Sequence, residues 1–67
     1  MTNTIMLEEK IANSGYRKRY IAERIGLSYQ GFLNKIRNKS EFKAPEIKTL
    51  CELLDISSDE KEVIFFN

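Results

Sequence analysis

The chain has 67 residues, 42% of them hydrophobic and 31% charged, with a formal net charge of +1. That length holds one domain with a small core. A single cysteine and no histidine exclude an internal disulfide framework, a cysteine-rich metal site and the usual general base. No apolar run exceeds four residues, which is too short for a membrane span or a signal peptide.

The apolar positions follow helical spacing and nowhere alternate as in a strand. Ile5, Leu7, Ile11 and Ala12 predict a first helix ending near Asn13-Ser14-Gly15, with Gly15 as the left-handed residue beyond its end. Ile21, Ala22 and Ile25 predict a second helix over roughly 17–25, stopped by Gly26. Ser28 is a good N-cap for a third helix running to about residue 37, with Phe32 and Ile36 inward and Leu33 at the margin. Residues 38–44 read as a loop anchored by Phe42. Pro45 suits the first position of a fourth helix, whose stripe is Ile47, Leu50, Cys51 and Leu54. Ser57 and Glu60 have capping-box spacing ahead of a short fifth helix. The expectation is a single all-α domain over 1–67, a compact bundle of five short helices. The Met1 start and the lack of a C-terminal linker fit a chain that is not a module of a larger regulator.

Charge is distributed unevenly. Residues 17–39 carry seven bases (Arg17, Lys18, Arg19, Arg24, Lys35, Arg37, Lys39) against Glu23, a net of +6. Residues 1–16 are net −1 and residues 40–67 net −4. A basic block of this size points to a polyanion-binding face. Within it, two short helices meet at the turn Gly26-Leu27-Ser28. Ala22 is small where helices approach closely, and Ile21, Ile25 and Phe32 can share a core. This is the spacing of a DNA-binding helix-turn-helix, in which the second helix enters the major groove.

The residues Tyr20-Ile21-Ala22-Glu23-Arg24-Ile25-Gly26-Leu27-Ser28, Phe32-Leu33-Asn34-Lys35-Ile36, Glu46-Ile47 and Leu50…Leu53-Leu54 resemble the small Cro-like regulators of temperate phages. These fall within the larger phage-repressor and xenobiotic-response-element group. Ile64-Phe65-Phe66 also resembles the tail of some members. The resemblance implies a lambda-repressor-like five-helix bundle that binds operator DNA, usually as a dimer, and regulates transcription in a bacterial host cytoplasm. One departure stands out: the family normally has an apolar residue three positions after Phe32, where this chain has Lys35. The third helix is therefore expected to be somewhat rolled, with Lys35 outward.

On this reading Ser28, Tyr29, Gln30, Gly31 and Asn34 lie at the tip or outward face of the recognition helix. Gln30 and Asn34 are amides able to bridge adenine N6 and N7. Tyr29 can pack on a thymine methyl or bond a phosphate. Gly31 serves either close approach to DNA or local packing. Lys18 and Arg19, at the start of the second helix, are expected on phosphate. Lys35, Asn38, Lys39 and Lys43 are expected to flank the groove and position the protein. Arg24 suits the helix C-terminal dipole or a pairing with Glu41 or the neighbours of Glu23, and Arg37 either phosphate or the C-terminal dipole.

Cys51 reads as a buried, inert thiol. Glu52, Asp55, Asp59, Glu60 and Glu62 read as a solvated acidic face that orients docking. Of Val63, Ile64, Phe65 and Phe66, two are expected to close the bundle and at least one to lie exposed. Phe65 or Phe66 could then form a weak homodimer contact on DNA and a palindromic operator would follow. The expected partners are double-stranded operator DNA and a second copy. The competing expectation is a modulator that binds a partner repressor protein through the same basic face. No enzyme activity, cofactor, metal or membrane contact is expected.

Overall fold

A computed structural model describes residues 1–66 of the chain. It contains five helices: α1 (Thr4–Ser14), α2 (Lys18–Arg24), α3 (Tyr29–Ile36), α4 (Ala44–Leu54) and α5 (Ser58–Phe65). There is no strand among the described residues. None of these helices is long and apolar enough to cross a membrane.

Local chemistry places most of the boundaries. The Asn3 side chain accepts the Met6 N–H and starts α1; Gly15, at φ 77°, ends it. Ser28 Oγ accepts the Gly31 N–H and starts α3. Gly26, at φ 78°, takes the left-handed backbone that lets the chain turn between α2 and α3, a conformation in which a Cβ is strained. Ser57 and Glu60 form a reciprocal capping box at α5. At α4 only the Glu46 half of such a box exists: its Oε1 accepts the Lys43 N–H at 2.9 Å, and a lysine side chain has no acceptor to return. Pro45 falls second in α4, after Ala44, still within the first turn, where its missing N–H is harmless.

The core is Leu7 and Ile11 of α1, Ile21 and Ala22 of α2, Phe32, Leu33 and Ile36 of α3, Ile47, Leu50 and Leu54 of α4, Ile56, and Ile64 and Phe65 of α5. Phe42 sits between Phe32 and Phe65, its ring edge-on to each at 6.2 and 5.6 Å. The loop after α3 is thereby fixed by one aromatic anchor, as its composition predicts. Ile64 and Phe65 are buried while Val63 and Phe66 stay exposed, so the four-residue apolar run divides two and two, as spacing requires. Of the four apolar residues that predict α1, two face outward. Ile5 is 81% exposed and Ala12 is also exposed, because Leu7 and Ile11 set the inward phase and Met6, not Ile5, packs beside them.

Two polar ties fasten the C-terminal end of α3. Asn38, at φ 64°, accepts the Thr2 N–H through Oδ1 at 2.9 Å and donates Nδ2 to the Thr2 carbonyl at 2.9 Å. Thr4 Oγ1 donates to the Ile36 carbonyl at 2.6 Å. The N-terminal segment is also held from α5, since the Asn3 N–H donates to the Ile64 carbonyl at 2.6 Å.

Candidate nucleic-acid interface

The geometry of α3 follows from which residues its packing leaves outside. Phe32, Leu33, Lys35 and Ile36 are buried. Tyr29 and Gln30 are exposed, and Gly31 and Asn34 are half-buried. Gln30 and Asn34 lie one turn apart, and Gln30 Nε2 donates to Asn34 Oδ1 at 3.0 Å. The pair aligns two amides on one helix face. Gly31 has a local reason beside any approach to DNA: a Cβ there would stand 3.0 Å from the Ser28 Oγ that caps the helix.

Arg19 and Tyr29 join the tips of α2 and α3. The Arg19 guanidinium carbon lies 4.2 Å from the Tyr29 ring centre. Lys18 is turned the other way, its Nζ 3.0 Å from Glu8 of α1. Both groups of that pair remain partly exposed, so it contributes little and exchanges readily for another anion. Arg24 does not reach Glu41; its Nη1 donates to the Tyr20 hydroxyl at 2.9 Å, and Tyr20 in turn packs against Tyr16.

Two residues expected to flank the groove are committed elsewhere. Lys35 points inward at the position three after Phe32. Its Nζ is 2.6 Å from Glu46 Oε1, with only 11% and 13% of the two side chains exposed. The lysine stem takes the place of an apolar side chain, and the ammonium finds a carboxylate at the end of it. The expectation of an outward Lys35 is thus corrected. Burial pushes the Glu46 carboxyl up, but the Lys35 hydrogen bond, the Lys43 N–H and the charges of both lysines bring it below its ordinary value. Asn38 is the second: its amide is spent on Thr2.

Lys39 and Lys43 remain exposed. The Lys39 N–H donates to the Asn34 carbonyl, which sets this residue at the foot of α3. Arg17 and Arg37, exposed at the caps of α2 and α3, belong with them; phosphate is one of the two readings of Arg37 from sequence, whereas Arg17 is not among the expected contacts. The signal for Arg17 was the triplet Arg17-Lys18-Arg19 at a helix start. Among the described residues, Arg17, Arg19, Arg37, Lys39 and Lys43 make no ion pair. Glu23 and Glu41 are the exposed carboxylates of this stretch.

At the acidic end, Glu60 pairs with Lys10 at 2.6 Å. That hydrogen bond and the Ser57 N–H lower its carboxyl to about 2. Cys51 is half-buried, and burial pushes its thiol up. Comparison with protein-family models, curated proteins and solved structures finds no match to this chain.

Proposed function

We propose that the protein is a sequence-specific DNA-binding transcriptional regulator of a phage-type genetic switch, with α3 in the major groove of operator DNA. The observation that carries this reading is the outward face of α3. Its aligned amides, Gln30 and Asn34, stand beside Arg19, which lies over Tyr29, and Lys39, whose N–H donates to the Asn34 carbonyl; neither cation has a carboxylate partner among the described residues. Amides on the outward face of such a helix can read base edges, and unpaired cations around them favour phosphate. With its side chains an α-helix is about 10–12 Å across, which fits a major groove ~12 Å wide.

Arg17, Arg19, Lys39 and Lys43 hold backbone phosphate in this arrangement, while Gln30 and Asn34 specify sequence. Phe66, 58% exposed, is the residue for a weak contact with a second copy on a palindromic site. Selection from a randomised duplex pool tests the reading. A defined sequence is enriched, and Gln30→Ala and Asn34→Ala each lose ~1–3 kcal/mol on it with relaxed preference at one or two base pairs. Equal losses on selected and random duplex would move both amides to a positioning role. Failure to enrich any sequence overturns the proposal and leaves the competing modulator of a partner repressor.

A further inference from the structure

The Arg19–Tyr29 pair has a feature that neither residue has alone. A guanidinium laid on an aromatic face keeps all its N–H donors in its own plane, directed away from the ring. Stacking therefore fixes where the group lies without using any of its hydrogen bonds. The Arg19 guanidinium carbon lies over the Tyr29 ring, 4.2 Å from its centre, and among the described residues Arg19 makes neither an ion pair nor a side-chain hydrogen bond. Arg24 shows the contrast within the same helix. It stands 5.8 Å from the Tyr20 ring centre and spends a donor on the Tyr20 hydroxyl. Arg19 is the arginine of α2 whose fork is both oriented and unspent.

The pairing also changes what Tyr29 can do. One face of its ring is covered by the guanidinium, and the residue sits at the first position of α3, beside the Ser28 cap. We propose that Tyr29 is a positioning residue and not a base reader: it aims the Arg19 fork at a backbone phosphate next to the groove that α3 occupies. This rests on the DNA-binding reading above. The ring ties the phosphate contact to the helix that reads sequence, so that the two engage in one register.

The wild type, three single variants and one double variant test it, using the duplex selected by the wild type and a random duplex of equal length. In the free protein, ring current from Tyr29 moves the Arg19 side-chain protons upfield; Tyr29→Phe keeps the shift and Tyr29→Leu abolishes it. Tyr29→Leu weakens binding roughly two- to five-fold, equally on both duplexes, while Tyr29→Phe binds as the wild type does. Arg19→Ala lowers the salt slope by ~0.9. In the Arg19→Ala background, Tyr29→Leu adds no more than about 1.5-fold, since its effect passes through Arg19. An undiminished loss in that background, with altered preference at one base pair, makes Tyr29 a base reader and overturns the proposal. Duplex binding without the upfield shift in the wild type overturns the stack alone. The upfield shift with no duplex binding overturns the DNA reading and this role with it.

Discussion

Replacing Lys35 by Met leaves the aliphatic stem in place and removes the charge that faces Glu46. The carboxylate then keeps one partner, the Lys43 N–H at 2.9 Å, while its side chain remains only 13% exposed. Breaking a fully buried pair from one side costs ~3–5 kcal/mol; allowing for the residual exposure here, Lys35→Met should cost about 2–4 kcal/mol. A domain of this length is stabilised by only ~3–10 kcal/mol in total. At ~4–8 °C per kcal/mol, the melting temperature falls by roughly 8–30 °C. The double variant Lys35→Met, Glu46→Leu removes both charges and leaves nothing unsatisfied except the Lys43 N–H. It should melt within about 1 kcal/mol of the wild type, the lost half-cap being offset by apolar packing. Thermal unfolding followed by circular dichroism at pH 7 measures both. A Lys35→Met protein that melts within two or so degrees of wild type, as a surface substitution does, refutes the burial of this pair.

Other consequences follow from the same packing. Phe32→Ala and Leu50→Ala should each cost ~2–5 kcal/mol, and a melt unchanged by either contradicts the core described. Ile64→Ala should destabilise by a similar amount while Val63→Ala changes stability by less than ~0.5 kcal/mol; equal effects would put α5 in the wrong phase. Asn38→Gly keeps the left-handed backbone and loses the grip on Thr2, costing ~1–3 kcal/mol; Asn38→Ala adds ~1 kcal/mol of backbone strain, and urea unfolding of the two variants reads the difference. Glu60 has a folded-state carboxyl at about 2 against an ordinary 4.5. Its contribution is therefore complete above about 4.5 and is lost as pH falls toward 2. Glu60→Gln should flatten the acid limb of the stability profile in that window, and an unchanged limb argues against the Lys10 contact.

The parts of the fold legible in the sequence are those set by local chemistry. Ser28, Ser57 with Glu60, Gly15 and Gly26 mark helix ends because each satisfies or turns the backbone within a few residues of itself. The helical spacing of Phe32 and Ile36 settles which side of α3 is buried for the same reason, whereas four consecutive apolar residues, Val63 to Phe66, require a division without saying which two are buried. Three consecutive apolar residues, Ile5-Met6-Leu7, carry no phase of their own; Leu7 and Ile11 set it and turn Ile5 out. Lys35 could not be placed from its own neighbours, because its partner lies eleven residues away on α4 and a lysine stem can cover apolar surface as readily as it reaches water. Asn38 is the same case at longer range, since its amide meets Thr2 across 36 residues. Within the candidate site, Gln30, Asn34, Lys39 and Lys43 stand exposed or partly so where helix position puts them. The stacking of Arg19 on Tyr29 depends on how α2 and α3 pack together, which residue order does not state.

The most direct test of where this protein meets its target is an amide chemical-shift titration of the isotope-labelled chain with the selected duplex. Binding through α3 predicts the largest changes at Arg17–Arg19 and at Ser28–Asn34, with Lys39 and Lys43 following and α5 nearly still apart from Phe66. Changes concentrated on the exposed apolar residues Met1, Ile5 and Val63, with α3 unmoved at saturating duplex, would contradict the account.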